Sequence, residues 1–253
     1  MIIDSPNKAD VPALRALWRQ AFGDEDSFLD LFFGIAYAPN RARCLRLEGR
    51  ITSALYWFDC ELDSHRIAYV YAVATDSEYR GRGLCRALME NTHKHLADLG
   101  YSSAILVPGS EELFGFYRAL GYEMCSSVDL LSVTASSRRA KLTAISADEY
   151  ASLRPKYLPR GGVIREGESI AFLDSLATLY SGDGFILAVE KRADALRAVE
   201  LLGDRSRAAE IVAALGCTTG MFTVPGNQKP QTMIHQLDNN TTAAPTYFGF
   251  AFD

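Results

Sequence analysis

The sequence predicts an α+β fold in which a mixed central sheet is flanked by helices in an α/β/α layered arrangement. The first observation is the order of elements: two amphipathic helical patterns come first, then strands, then a strand–helix–strand–helix–strand run. The second is composition: 48% of the 253 residues are hydrophobic and 23% are charged, as in ordinary globular domains. This length accommodates one large domain or two smaller ones.

The first half of the chain carries the clearer pattern. A helix is predicted over residues 10–22, with Asp10 as its cap, Pro12 in its first turn and Gly23 at its end. A second helix is predicted from Ser27, followed by a hairpin around Glu48-Gly49-Arg50. The further predicted elements are a strand at 67–75, a helix at 83–99, a strand at 103–107, a helix at 110–120 and a strand at 128–134.

A short glycine- and arginine-rich segment, Arg80-Gly81-Arg82-Gly83-Leu84-Cys85, joins the strand at 67–75 to the helix at 83–99. The first amides of a helix have no partners within the helix, and the helix dipole favours negative charge there. Glycines let the backbone approach a phosphate, and arginines add charge-assisted contacts. Neither GxGxxG nor Gly-Lys-Ser/Thr is present, so this segment is neither a dinucleotide fingerprint nor a P-loop.

A second segment, residues 108–122, follows the strand at 103–107. Ser110 suits the cap of the helix that follows, and Gly121 suits the position just after its end. Tyr117 lies on an apolar stripe of that helix at helical spacing.

Together these segments resemble the GNAT superfamily of acetyl-CoA-dependent N-acetyltransferases. The family's diphosphate loop reads Arg/Gln-x-x-Gly-x-Gly/Ala; Arg80 and Gly83 match it, and Cys85 stands where Gly or Ala is usual. The run from Phe116 to Tyr122 resembles the family's Tyr-x-x-x-Gly-Phe segment. Ser110 stands where the family often has asparagine. The resemblance covers about residues 1–135.

The resemblance implies a transferase that moves an acetyl group from acetyl-CoA directly to a primary amine. It implies that the strand at 67–75 splays away from the strand at 103–107, leaving a gap for the pantetheine arm. Tyr117 would be the general acid that protonates the leaving thiolate; the alternative is a tyrosine of the core. The implied cofactor-binding residues are Val73, Ala74, Thr75, Arg80, Gly81, Arg82, Gly83, Leu84, Cys85 and Ser110, although Val73 is also suited to the sheet core.

Several functional questions stay open at the level of sequence. The base that deprotonates the amine is Asp59, Glu61, His65, the C-terminal carboxylate or water. The acceptor is a small-molecule or peptide amine. Two alternatives are a non-catalytic acyl-CoA-binding or regulatory module, and an acyltransferase that uses another acyl-CoA such as succinyl- or propionyl-CoA.

The polar segment 135–141 is the best candidate for a linker, which predicts a catalytic domain at 1–135 and a second domain at 142–253. In the second, helices are predicted at 169–180 and 204–215, and strands at 185–190, 198–202, 219–224, 232–237 and 247–252. This order favours a smaller, degenerate GNAT-like half, with an unrelated α+β domain as the alternative. The segment from Gly203 to Arg207 takes the place of the phosphate loop without its second glycine.

Composition excludes several other classes of protein. The net charge of −5 does not favour nucleic-acid or membrane-surface binding, and no apolar run approaches the ~20 residues of a membrane span. The N-terminus has no signal-peptide pattern, and five scattered cysteines suggest reduced thiols in a cytoplasmic protein. The four histidines show no metal-ligand spacing, so no metal is expected.

Overall fold

The structure is a computed structural model that describes residues 1–192, 195–237 and 243–252. It contains two compact units, neither of which is continuous in sequence. The first unit comprises Met1–Cys60, Ser64–Glu123 and Ile234–Thr242, and the second comprises Glu61–Asp63, Met124–Met233 and Ala243–Asp253. These units are defined by packing alone, and the division into a catalytic domain at 1–135 and a second domain at 142–253 stays a prediction.

The elements of the first unit follow the predicted order with small shifts at their ends. In chain order they are β1 (Ile2–Asp4), α1 (Val11–Phe22), α2 (Asp26–Leu31), β2 (Ala42–Leu47), β3 (Arg50–Leu62), β4 (His65–Thr75), α3 (Leu84–Asp98), β5 (Ser103–Leu106) and α4 (Glu111–Arg118).

The sheet of this unit runs in the order β1-β2-β3-β4-β5. β1 and β2, and β2 and β3, pair antiparallel, whereas β4 and β5 pair parallel. The parallel register runs only from Ile67 opposite Ser103 to Tyr69 opposite Ile105, although β4 continues to Thr75. β5 ends at Leu106, so β4 has no parallel partner in β5 from Val70 onward, and the predicted splayed, mixed sheet is confirmed.

Helix α1 packs on this sheet through Leu14, Leu17 and Trp18, which are all buried. It ends at Gly23, whose φ of 77° is accessible to glycine without steric cost. The expectation that the Asp10 side chain caps α1 is wrong. Its carboxylate instead accepts hydrogen bonds from the backbone N–H of Asn7 and from the Arg46 guanidinium.

The second unit contains the remaining elements. They are β6 (Glu123–Thr134), β7 (Thr143–Ala144), α5 (Ala147–Tyr157), β8 (Ile164–Arg165), α6 (Glu168–Leu176), β9 (Thr178–Gly182), β10 (Phe185–Arg192), β11 (Ala195–Gly203), α7 (Ala208–Ala214), β12 (Thr219–Gly226) and β13 (Lys229–Gln236). The last residues of β13, from Ile234 onward, belong to the first unit.

The sheet order in this unit is β6-β12-β11-β10-β9-β7. β11 and β12 are parallel and are joined through α7, so a strand–helix–strand unit recurs here. Its core gathers Phe185, Leu187, Ile211, Val212 and Phe222. The whole chain is thus α+β, with mixed sheets and flanking helices as predicted.

Two predictions for the second half are wrong. The helix expected at 169–180 ends at Leu176, because Thr178–Gly182 is a strand that pairs with β10. The strand expected at 247–252 is irregular and has one isolated bridge, between Tyr247 and Gly162. Helix α5 was not predicted, although Ser146 and Glu149 form a capping box at its start.

Candidate functional site

The loop before α3 has the backbone conformation of an anion-binding turn. Gly81 and Gly83 both have φ of 74°, in the left-handed region that residues with a Cβ rarely adopt. Gly83 is the N-cap of α3, and no side chain caps that end of the helix. A Cβ built on either glycine would meet nothing within 4 Å, so the loop has open space beside it. These features fit a diphosphate held by backbone amides at the helix start.

The two arginines of the loop donate hydrogen bonds to backbone carbonyls. Arg80 donates from Nε to the Thr75 carbonyl at 3.1 Å, and Arg82 donates from Nη2 to the Glu78 carbonyl at 3.1 Å. The Arg82 guanidinium also lies 5.0 Å from the centre of the Tyr79 ring. Both arginines remain exposed, so each keeps donors that face solvent while its anchor fixes the shape of the loop.

Leu84 and Cys85 form the first turn of α3. Leu84 is buried and Cys85 is partly buried. Burial raises the pKa of the Cys85 thiol to about 11, and a hydrogen bond to Thr75 opposes that shift. The thiol is therefore protonated at neutral pH and is a small packing group rather than a nucleophile.

Strand β4 has an unusual backbone conformation beyond the last residue that pairs with β5. Ala72 has φ of 49°, which is uncommon for a residue with a side chain and turns the backbone locally. The next three residues are the predicted pantetheine contacts: Ala74 is buried, whereas Val73 and Thr75 are partly buried. The Thr75 hydroxyl is fixed by Ser53 Oγ at 2.9 Å. Ala72 could not be predicted as part of this feature, because alanine gives no sequence signal for a positive φ.

Tyr117 projects from α4 and is 7% exposed. Its ring centre lies 5.3 Å from Phe116 and 5.7 Å from Tyr122. Burial, and then the nearby Cys85, raise the pKa of Tyr117 well above its ordinary value. Its hydroxyl makes no hydrogen bond to the residues that the structure describes. The structure thus brings a protonated phenol from α4 close to Cys85, in the first turn of α3.

Ser110 is the N-cap of α4 in an extended conformation, but its hydroxyl makes no capping hydrogen bond. The side chain is exposed, and Glu111 and Glu112 supply the negative charge of the first turn. Nothing in these contacts assigns Ser110 to a binding role, which stays a prediction.

The candidate bases lie toward the other end of β4. Glu61 and His65 flank the turn that joins β3 to β4, and β4 then runs for 11 residues to Thr75. At ~3.3 Å per residue this places His65 about 30 Å along the strand from the loop. Asp59 binds the Arg66 guanidinium at 3.0 Å and accepts a hydrogen bond from Tyr101. The C-terminal carboxylate, on Asp253, lies outside the described residues.

Two histidines that were not predicted to belong to the site, His93 and His235, contact the residues that follow Tyr117. The Tyr122 hydroxyl is 2.8 Å from Nε2 of His93, and the His93 ring stacks on His235 with centres 4.2 Å apart. His235 Nδ1 donates to the Gly121 carbonyl at 2.9 Å. His235 follows Gly121 by 114 residues, so no local pattern could have indicated this contact.

Within the described ranges, no helix is long and apolar enough to cross a membrane. The same residues include no cluster of three or more histidine, cysteine, aspartate or glutamate side chains that could hold a metal ion.

Comparison with known proteins supports this description of the fold. A family profile described as "Acetyltransferase (GNAT) domain" matches residues 3–125. No curated protein matches the sequence. A GCN5-related N-acetyltransferase from Kribbella flavida aligns with a TM-score of 0.74 and 16% identity, over 94% of this chain and 71% of the other.

Two further solved structures are similar. A GCN5-related N-acetyltransferase from Anabaena variabilis has a TM-score of 0.72 and 18% identity, over 94% of this chain and 73% of its own. Eis1 from Mycobacterium abscessus has a TM-score of 0.69 and 12% identity, over 94% and 74%. At these identities the structures establish the fold, and the family profile shows that residues 3–125 match a GNAT acetyltransferase domain.

Proposed function

We propose that the first unit transfers an acetyl group from acetyl-CoA to a primary amine by direct transfer. The observation that carries this proposal is that three features occur together in the first unit. They are the open left-handed glycine loop at the start of α3, the end of the β4–β5 pairing after Tyr69, and the buried phenol of Tyr117 near Cys85. The match of residues 3–125 to a GNAT acetyltransferase domain supports acetyl transfer as the class of reaction.

Each part of the site has a role in this proposal. The amides of residues 81–85 and the free donors of Arg80 and Arg82 hold the diphosphate of acetyl-CoA. The edge of β4 from Val73 to Thr75 that faces away from β3 binds the pantetheine arm as an added strand would, and one of its amides polarises the thioester carbonyl.

Tyr117 supplies the proton in this proposal. The amine attacks the thioester carbon, the carbon–sulfur bond breaks, and the leaving thiolate takes the phenolic proton. The raised pKa of Tyr117 keeps that proton in place at neutral pH. Because His65 lies at the far end of β4, we propose that water carries the proton away from the amine.

One site per chain is expected. In the second unit, the segment from Gly203 to Arg207 has one glycine, and the Asp204 carboxylate accepts from the Ser206 amide and hydroxyl. This segment has no second left-handed glycine of the kind found at Gly83. We therefore propose that the second unit is a degenerate, non-catalytic GNAT-like half.

The second candidate function is a non-catalytic acyl-CoA-binding or regulatory module. It is favoured by the distance of the candidate bases from the loop. The test is release of CoA from acetyl-CoA, detected as free thiol, with polyamines, aminoglycosides and amino acids as acceptors. Amine-dependent release supports the transferase, whereas 1:1 binding of acetyl-CoA without release by any amine supports the binding module. Parallel assays with propionyl- and succinyl-CoA give the acyl preference.

A further inference from the structure

His235 meets the end of the helix that carries Tyr117. Its Nδ1 donates to the Gly121 carbonyl at 2.9 Å, just beyond the end of α4. Gly121 has φ of 85°, and a Cβ built on it would lie 3.0 Å from the His235 ring. The imidazole therefore occupies the space that a side chain at position 121 would need.

His235 is held in this position by a second ring. It stacks on His93 with centres 4.2 Å apart and planes 20° apart, and its centre lies 5.3 Å from the Tyr122 ring. Burial lowers the pKa of His93 to about 3, with a smaller contribution from His235, so His93 is neutral and pairs with the Tyr122 hydroxyl. The position of His235 is thus set by a stacking contact with His93 and a ring contact with Tyr122.

Backbone hydrogen bonds connect the turn that His235 contacts to Tyr117. The amides of Leu120 and Tyr122 both donate to the Tyr117 carbonyl, at 2.9 and 3.1 Å. On the other side of the turn, Arg86 of α3 donates to the Ala119 carbonyl at 3.1 Å. The turn after Tyr117 therefore accepts hydrogen bonds from two side chains, Arg86 of α3 and His235 of β13.

We propose that His235, supplied by the C-terminal strand β13, is a positioning residue that fixes the Tyr117 hydroxyl for proton donation. This inference rests on the proposed function, because it requires Tyr117 to be the acid. His235 lies more than a hundred residues along the chain from both the glycine loop and α4, yet it would affect the rate of the reaction. A small displacement of a proton donor is enough to slow a reaction greatly, because catalysis depends on near-attack geometry.

The experiment compares His235→Phe with His235→Asn. Phenylalanine keeps a flat ring against His93 and loses the donor, whereas the asparagine amide places an N–H close to the position of Nδ1. Ile234→Val, the preceding residue on β13, is the matched control for loss of packing. Each variant is measured for kcat and for KM of acetyl-CoA with the panel amine that gives the fastest release, alone and combined with Tyr117→Phe. Amide hydrogen exchange across residues 113–122 is followed in parallel.

We expect His235→Phe to lower kcat about tenfold, to leave KM for acetyl-CoA within about twofold and to speed exchange at Gly121 and Tyr122. His235→Asn should restore both readouts, and Ile234→Val should leave kcat unchanged. In the Tyr117→Phe background, His235→Phe should have no further effect on kcat. Wild-type kcat in His235→Phe, equal slowing in His235→Asn, or a full effect without the Tyr117 hydroxyl would each overturn the inference. A Tyr117→Phe variant with wild-type kcat would instead refute the proposed acid itself.

Discussion

Tyr69 of β4 lies opposite Ile105 of β5 and is the last residue of the parallel register between these strands. Three residues later, Ala72 takes a φ of 49°, and β4 continues to Thr75 without a partner on that side in the β4–β5 register. Parallel strands that separate leave backbone donors and acceptors available to a ligand. We propose that the left-handed backbone at Ala72 and the unpaired edge beyond Tyr69 together form one binding feature for the pantetheine arm.

Substitutions at Ala72 test this feature. Ala72→Val puts a β-branched side chain at a left-handed position, so we expect it to cost about 1–2 kcal/mol of stability and to weaken acetyl-CoA binding. Ala72→Gly accommodates the same φ and should keep both the fold and the affinity close to wild type. Chemical denaturation and calorimetric titration of the pair give the answer. Equal affinities in the two variants would show that the backbone conformation at Ala72 plays no part in acetyl-CoA binding.

The glycine loop makes a second prediction, on Gly81→Ala and Gly83→Ala. Each change forces a Cβ into a backbone with φ of 74°, so each should lower stability by about 1 kcal/mol and reduce acetyl-CoA affinity at least tenfold. Gly100→Ala is the matched control, because Gly100 has φ of 81° and equally open space but lies beyond the other end of α3. It should lose similar stability and keep full affinity. If the loop variants bind acetyl-CoA as tightly as Gly100→Ala does, the diphosphate site lies elsewhere.

The buried imidazole of His93 predicts a dependence of stability on pH. Its pKa is lowered to about 3 by burial, so between about pH 6.5 and 3 the unfolded chain binds a proton that the folded chain does not. Stability should therefore fall as the pH falls through 6.5, with His93 contributing a loss of about 2 kcal/mol between pH 7 and pH 5.

The control for this prediction is His93→Gln, which retains a polar atom near the position of Nε2 for Tyr122 but does not titrate. Urea unfolding at pH 7 and pH 5 should show a smaller loss in the variant than in the wild type. Identical losses would mean that His93 is not the group responsible.

Local pattern predicted the strand–loop–helix segment around Arg80 and the helix of Tyr117, because capping, glycine placement and apolar spacing are all encoded within a few residues. The positive φ of Ala72 has no such signature, because alanine is not a residue type that favours this conformation. The apolar run from Tyr247 to Phe252 alternates as a strand would, yet it is irregular. Gly249 there has φ of 99° and lies against the buried Glu200 and Arg154, which form an ion pair at 2.9 Å.

The contacts between His93, His235 and the turn after Tyr117 could not be predicted from the sequence. His93 and His235 show no metal-ligand spacing, and their stacking depends on the placement of β13 in the first unit. Position in sequence likewise suggested Asp59, Glu61 and His65 as bases, because they precede the central strand. The length of β4 places His65, its first residue, at the end opposite the glycine loop.

The turnover of Tyr117→Phe tests the central claim most directly. The ring stays in its slot, and the lost hydroxyl has no hydrogen-bond partner among the described residues, so the melting temperature and the acetyl-CoA affinity should stay close to wild type. Only the proton donor is removed, and kcat for the amine-dependent reaction should fall on the order of 10²–10⁴-fold, with KM little changed. Wild-type kcat in a folded Tyr117→Phe variant, measured where chemistry limits the rate, would contradict the assignment of Tyr117 as the acid.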